Sequence, residues 1–461
     1  MLTYDVDIWS IRQRKGRPKP FELRWRVGER SHSRSFKLKP QAEGRQSELL
    51  AALRNREQYD EETGLPASEF AALTTPTWYE HATAYVLMKW PKAAAKHRAS
   101  IAETFATITP AFVSSSRGAP DAAVLRRALY GWAFRAAQEG DGTLRLRHQV
   151  EVPPADIAAA LGWISANTVK MTEVGKSERL RSALDALSKK LNGMPAADNT
   201  VNRKRMVLSN ALRYAVERGT LASNPLGRVD WTGPDKDDEV DFRYVPNPDQ
   251  AAALIDAVRQ LSARGEHMAA FFGCLYYAAM RPSEIAALRA EDCKLPEKGW
   301  GELVLAGSQP EVGSGWTNDG QSFEHRGLKR RARTATRSVP IPPVLTAMLR
   351  GHKERYGVAD DGRLFRAAKG GRVRSTEYCE LWDSARLKAL SAREAKTPLA
   401  DVPYSLRHAG VSLWINSGVD PMEVAQRAGH SLAVLFRFYA KILKGQQSRA
   451  NELIERGLSG G

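Results

Sequence analysis

Three stretches near the end of the chain decide its reading: Tyr404-Ser405-Leu406-Arg407-His408, Ala428-Gly429-His430 and Phe436-Arg437-Phe438-Tyr439-Ala440-Lys441. Upstream lie Arg281-Pro282-Ser283-Glu284 and Lys329. Together they hold what metal-free attack on a phosphodiester requires. Negative charge gathers on the nonbridging oxygens in the transition state, and forked cationic donors neutralise it best. Arg281 and Arg407 each offer a bidentate guanidinium, which lysine does not reproduce. Lys329 heads the basic run Lys329-Arg330-Arg331-Ala332-Arg333 and is the candidate proton donor to a leaving 5′ oxygen. Tyr439 is the candidate nucleophile, since a covalent link conserves bond energy for rejoining. A phenol of pKa ~10 is rarely ionised at neutral pH until cations stabilise its anion.

Singly, each of these residues has a plainer reading. Arg281 before Pro-Ser-Glu reads as a helix start with Ser283 and Glu284 as caps. Gly429 reads as a left-handed helix end, and Tyr439, between aromatic neighbours, as core. The ordered set is what points to chemistry.

Bulk properties agree. A chain of 461 residues holds roughly two to four domains. Its 69 Lys+Arg against 52 Asp+Glu leave 69 − 52 = +17, and the pI is near 9.8. Such an excess concentrates polyanions, so duplex DNA is the first expected partner. No apolar run reaches the ~20 residues of a membrane span, so no membrane partner is expected. The start, Met1-Leu2-Thr3-Tyr4-Asp5, reads as neither signal nor transit peptide. Cys274, Cys293 and Cys379 are scattered without CxxC pairing, which suits small core residues in a reducing, cytoplasmic, nucleoid-associated protein. The nine histidines show no zinc spacing, and the glycines of 307–327 form neither a P-loop nor a dinucleotide fingerprint. No metal and no cofactor are expected.

Along the chain, residues 1–57 read as a three-stranded sheet plus helix. The first strand runs from Tyr4 to Ile11, and alternation is plain in Phe21-Glu22-Leu23-Arg24-Trp25-Arg26-Val27. A third run, Ser33 to Leu38, sets Phe36 and Leu38 on one face, and a helix follows from Pro40 to about Arg54. Arg24, Arg26, Arg34 and Lys37 are expected to point outward as a groove-binding basic face. After a linker over 58–74 the pattern turns helical. Thr75 and Pro76 offer a start, and Trp78, Tyr79, Ala82, Tyr85 and Val86 form an apolar stripe. Further helices are expected near 96–107, 121–138, 154–163, 177–191 and 199–218. The last has Asn199 as cap, Val207, Leu208, Ala211, Leu212 and Ala215 inward, and Gly219 as its end. Arg203, Lys204, Arg205 and Arg213 on its outer side are candidate DNA contacts, with Arg330, Arg331 and Arg333. A polar linker over 227–245 separates this helical domain, 75–226, from a last domain, 246–461. Its Asp237-Asp238-Glu239 triplet suits loop solvation better than metal binding. Residues 307–327 suit an extended hairpin before Lys329.

The last ~215 residues resemble the catalytic domain of tyrosine recombinases, the phage-integrase family. The likeness rests on Arg281 within Ala278-Ala279-Met280-Arg281-Pro282-Ser283-Glu284-Ile285 and on Leu328-Lys329 before the strand-like Arg337-Ser338-Val339-Pro340-Ile341. It continues through Leu406-Arg407-His408, Ala428-Gly429-His430 and Tyr439. The wider layout resembles integrases of actinobacterial mobile elements. The resemblance implies an α+β arm-binding domain, an all-α core-binding domain and a mostly α catalytic domain with a small sheet. It implies that Arg281 and Arg407 clamp the scissile phosphate, Lys329 protonates the 5′ oxygen, His430 hydrogen-bonds the phosphate and Tyr439 forms a 3′-phosphotyrosyl link. Glu284 and His408 match supporting positions, though His408 reads equally well as a packed structural histidine. One position departs from the family: Tyr404 stands where histidine is usual, and a phenol is a poor base near pH 7. Either Tyr404 only supports the phosphate, or water or substrate takes the proton from Tyr439.

The resemblance further implies core-type and arm-type DNA sites, a homo-tetramer in the synaptic complex, an accessory directionality factor and a C-terminal tail that docks on a neighbouring subunit. The expected function is site-specific recombination that integrates and excises a mobile element. The alternatives are a non-catalytic DNA-binding regulator and a type IB-like topoisomerase.

Overall fold

The computed structural model describes residues 1–190, 192–234, 240–328, 335–444 and 447–459. It comprises two compact units, Met1–Asp235 and Lys236–Gly461, mostly helical with small sheets.

The first unit opens with β1 (Leu2–Thr3), β2 (Val6–Ile8), β3 (Arg12–Gln13), β4 (Phe21–Val27), β5 (Arg30–Phe36) and α1 (Lys39–Arg54), followed by β6 (Tyr59–Asp60) and α2 (Ala67–Thr74). β5 pairs along the whole of β4, while β2 and β3 pair with its two ends, all antiparallel. The first strand expected over Tyr4–Ile11 is thus shortened to β2 (Val6–Ile8), with separate short strands on either side of the expected range. One cause is local: the Thr3 hydroxyl accepts the Asp5 N–H at 3.1 Å, diverting it from a ladder. Leu23, Trp25 and Val27 face Leu49 and Ala52 of α1. Leu38 is exposed beyond the end of β5 and does not share the Phe36 environment. Residues 58–74, expected as a linker, are folded. β6 pairs with β1, buried Tyr59 joins the sheet core, and buried Arg45 of α1 pairs with Glu69 of α2 at 2.8 Å.

Next come α3 (Trp78–Lys89), α4 (Ala95–Ile108), α5 (Ala122–Ala128), β7 (Ala136–Gln138), β8 (Leu144–Leu146), α6 (Arg147–Val150), α7 (Ala155–Asn167), α8 (Met171–Val174), α9 (Ser177–Leu187) and α10 (Asp198–Glu217). The expected α3 stripe, Trp78, Tyr79, Ala82, Tyr85 and Val86, is buried. Its cap is Thr77, in a reciprocal capping box with Glu80, whereas Thr75 closes α2 through a hydroxyl bond to the Ala71 carbonyl. The helix expected over 121–138 stops early. After α5 and a π turn at 129–133, Asp141 and Gly142 (φ +84°) turn a hairpin that pairs β7 with β8. α10 starts from Ala197 rather than Asn199 and buries the five expected apolar positions.

The second unit holds α11 (Pro248–Arg259), α12 (Ala263–Tyr277), α13 (Pro282–Ile285), β9 (Cys293–Lys294), β10 (Gly301–Leu305), β11 (Arg337–Ile341), α14 (Pro343–Tyr356), α15 (Ser375–Ala389), α16 (Ser405–Asn416), α17 (Pro421–Ala428), α18 (Leu432–Lys444) and α19 (Gln447–Leu458). The strands form an antiparallel sheet in the order β11-β10-β9. Residues 307–327 make an irregular hairpin, bridged at Ser308–Arg326 and Glu311–Phe323. The core surrounds α12, where Phe272 stacks on Trp382 at 5.5 Å. A second apolar cluster joins Ala279, Val411, Val424, Leu435 and Tyr439. Among the described residues, no helix is long and apolar enough to cross a membrane.

Helix α16 lies against the end of α12 at Gly410, where a Cβ would run into the Tyr276 carbonyl oxygen. Gly410→Ala is therefore expected to force the two helices apart. The expected cost is about 1–3 kcal/mol of stability in urea unfolding, with a loss of any activity that depends on Arg407, one turn earlier.

Candidate active site

The first turn of α16 carries Arg407 and His408, and the first turn of α13 carries Glu284, with Arg281 just before it. Helix α17 begins at an Asp420 cap with Pro421 at its first position and ends in Gly429 (φ +63°, ψ +42°), the left-handed cap expected from sequence. His430 follows at once, and its backbone N–H bonds back to the Ala425 carbonyl at 2.8 Å. Tyr439 sits inside α18 at a break in the helix (φ −120°, ψ +21°). These turns bring Arg281, Glu284, Arg407, His408, His430 and Tyr439 into one shell.

Glu284 organises it. One carboxylate oxygen accepts Arg281 Nη1 at 2.9 Å; the other accepts Arg337 Nη2 and the Arg281 backbone N–H, each at 2.9 Å. The capping role considered for Glu284 and its role toward the guanidiniums are thus both present. Burial works against its charge, but Arg337, then Arg281 and Arg407, hold the carboxyl below its usual range. Arg337, the first residue of β11, is itself buried and had no role in the sequence reading. Arg281 Nη2 reaches the Gly429 carbonyl at 3.0 Å. A Cβ on Gly429 would collide with the Arg337 guanidinium, so this position needs glycine for space as well as for its positive φ.

Arg407 is held by carbonyls, with Nη1 donating to Ala279 and Nη2 to Ala428 at 2.6 Å. Ala279 turns its carbonyl there through a left-handed conformation (φ +43°), unusual for a residue with a Cβ. Arg407 Nη2 also lies 2.9 Å from His430 Nε2. A guanidinium only donates, so Nε2 is the acceptor and the imidazole proton is on Nδ1. That Nδ1–H is buried with no partner among the described residues, a donor suited to an anionic oxygen. Burial, then Arg407 and Arg281, push the His430 pKa down to about 3. Three guanidiniums against one carboxylate leave a formal 3 − 1 = +2 in the shell.

The Tyr439 hydroxyl lies 2.8 Å from His408 Nδ1, and its ring stacks 6.4 Å from that of His430. Burial raises the phenol pKa, opposed by Arg407, while burial and then Arg407 push His408 down to about 4. Tyr404 packs edge-on against the His408 ring at 5.1 Å, with the Arg407 guanidinium 5.8 Å from its own ring. Arg407 and Tyr439 are each only 1% exposed.

Lys329, Arg330, Arg331 and Arg333 lie outside the described residues. The other basic positions are in the first unit, and register divides the expected basic face of the sheet. Arg24 and Arg26 pair across from Ser33 and Ser31, but Arg34 is opposite Leu23 and so is on the other face. Arg24 and Lys37 are exposed, with Arg24 over the Trp9 ring. Arg26 is tied to Asp5 and Asp7 at 3.1 and 2.5 Å. On α10, Arg203, Arg205 and Arg213 are exposed, but Lys204 is buried in an ion pair with Glu103 at 2.9 Å. It faces inward because it falls on the helix face of Val201, Val207 and Leu208, not on the outer side. Of the apolar tail positions, Ile454 and Leu458 are exposed; the side chains of Ile442, Leu443, Ala450 and Leu453 lie outside the described residues. Among the described residues, no three His, Cys, Asp or Glu side chains converge as metal ligands.

Two outcomes follow from this electrostatic balance. Arg337→Met removes one partner of a buried carboxylate and is expected to cost about 3–5 kcal/mol in urea unfolding, partly recovered in Arg337→Met/Glu284→Gln. His408 and His430 titrate near 4 and 3 in the fold against 6.5 ordinarily. The unfolded chain therefore binds more protons below about 6.5, and stability falls as pH drops through that window. The melting temperature is expected to decline on acidification, with a shallower slope in His430→Gln.

No protein-family model matches the chain, and no curated protein does either. Solved structures do. The Tn1549 transposon integrase in complex with transposon right end DNA is 16% identical, over 66% of this chain and 96% of that one, with a TM-score of 0.47. XerH site-specific recombinase bound to difH substrate is 15% identical over 62% and 72% of the two chains, with a TM-score of 0.42. A lambda integrase dimer bound to a COC′ core site is 10% identical over 91% of each, with a TM-score of 0.46. These neighbours are tyrosine recombinases, and at 10–16% identity the likeness is one of fold alone.

Proposed function

We propose that this chain is a site-specific DNA recombinase that cuts and rejoins duplex DNA through a 3′-phosphotyrosyl link at Tyr439, without a metal. The observation that carries the reading is the shell itself. A phenol shares a +2 site with Arg281 and Arg407, beside a buried His430 N–H that lacks an acceptor among the described residues. An anionic tetrahedral group supplies the oxygens this arrangement needs. In the proposed reaction the phenol oxygen attacks the scissile phosphorus while Arg281, Arg407 and His430 Nδ1–H bind the nonbridging oxygens. The P–O5′ bond breaks, and Lys329 gives its proton to the departing 5′ oxygen. Glu284 and Arg337 hold Arg281 in place. Tyr404 acts by packing on His408 and Arg407.

In this reading residues 246–461 form the catalytic domain, 75–226 grip the core site and 1–57 bind an arm-type site. Four subunits assemble on two sites, aided by a directionality factor, to integrate and excise a mobile element. The C-terminal tail docks on a neighbouring subunit.

Incubation with a nicked suicide duplex carrying the element's attachment site tests the reading. A denaturation-resistant protein–DNA adduct is expected in the presence of EDTA. It is expected to vanish in Tyr439→Phe while mobility-shift binding persists and weakens with salt at a slope near −0.9 per neutralised phosphate. Binding without any adduct would instead identify a regulator, and relaxation of plasmids lacking the site a topoisomerase.

A further inference from the structure

We infer that His408 is the group that takes the proton from the Tyr439 phenol during strand cleavage and returns it on rejoining, an assignment that rests on the proposed recombinase reading. The contact is direct: His408 Nδ1 lies 2.8 Å from the phenol oxygen, a reacting atom. The imidazole is placed for the task from two sides, since it sits in the first turn of α16 and Tyr404 packs edge-on against its ring. Among the described residues, the other two bases of the shell are occupied. His430 Nε2 faces a guanidinium donor, and both Glu284 oxygens accept from Arg281 or Arg337. The position at which the family resemblance calls for histidine is a tyrosine in this chain, with no basic lone pair at neutral pH.

Charge also has the right sign. In the free protein, burial and the neighbouring Arg407 keep His408 neutral, so an imidazole lone pair is available to accept the phenol O–H. A bound phosphodiester offsets the field of Arg407, and the proton affinity of His408 rises when a base is needed. As the phenol oxygen bonds to phosphorus, its proton passes to His408 Nδ1. The P–O5′ bond breaks, and the 5′ oxygen takes a proton from Lys329. In the reverse step the 5′ hydroxyl gives its proton back to Lys329, attacks the phosphotyrosine, and His408 reprotonates the departing phenolate.

The test uses full-length protein and a duplex that the wild type has selected from a randomised pool. The duplex is made with an ordinary scissile phosphate or with sulfur at the 5′ bridging position. A thiolate leaves without a proton donor, so the sulfur duplex is expected to rescue Lys329→Ala. It is not expected to rescue His408→Ala or His408→Gln, whose adduct formation should stay roughly 10²–10⁴-fold slow on both duplexes and recover as pH rises. The glutamine keeps a polar group against Tyr439, and mobility-shift binding by His408→Gln shows that the fold survives. Rescue of His408→Gln by the sulfur duplex, or a rate for that variant within about threefold of wild type on the ordinary duplex, a gap far below the usual worth of a general base, overturns the assignment. Wild-type protein that forms no adduct with either duplex overturns the recombinase reading and this inference together.

Discussion

Three guanidinium groups crowd one buried shell, and the carboxylate of Glu284 is what makes their crowding tolerable. Arg281 and Arg337 each bond to it, and their mutual repulsion in a low-dielectric setting would otherwise be severe. Removing water from such charges costs several kcal/mol per ion unless hydrogen bonds replace it. For two of the three the backbone provides such bonds: the Gly429 carbonyl for Arg281, and the Ala279 and Ala428 carbonyls for Arg407. The backbone is shaped to this end, with Ala279 and Gly429 both at positive φ so that carbonyls turn inward.

The positive shell in turn decides the protonation of everything else in it. Neither histidine carries charge at neutral pH, because burial and Arg407 both oppose a further cation. A neutral histidine can accept from one neighbour and donate to another, so His430 offers an N–H toward the site while it accepts from Arg407. The same logic leaves His408 able to accept from the phenol. Arg407 and Tyr439 are both almost fully buried within this shell.

Much of this centre was legible in the order of residues. Arg281, Glu284, Arg407, His430 and Tyr439 stand out because forked cations and a phenol in that order have few other uses, and Gly429 announces where α17 ends. Arg337 was not legible: in sequence it is one arginine opening a strand, and only the pairing of β11 with β10 and the approach of α17 bring it under Glu284. The same holds for Lys204, which reads as one of a basic cluster until helix packing turns it onto Glu103. Arg34 reads with Arg24 until the register of β4 and β5 sets them on opposite faces.

The sequence by itself determined the kinds of chemistry available and the longer helices of the first unit, because periodic apolar spacing, caps and residue types are local properties. It also determined the basic excess and the departure from histidine at Tyr404. Tertiary structure alone decided which groups meet: that His408, not Tyr404, touches the Tyr439 oxygen, and that Gly410 lets α16 approach α12 closely enough to place Arg407. Such contacts join residues tens to hundreds of positions apart, and no local rule carries information about a distance that only packing sets.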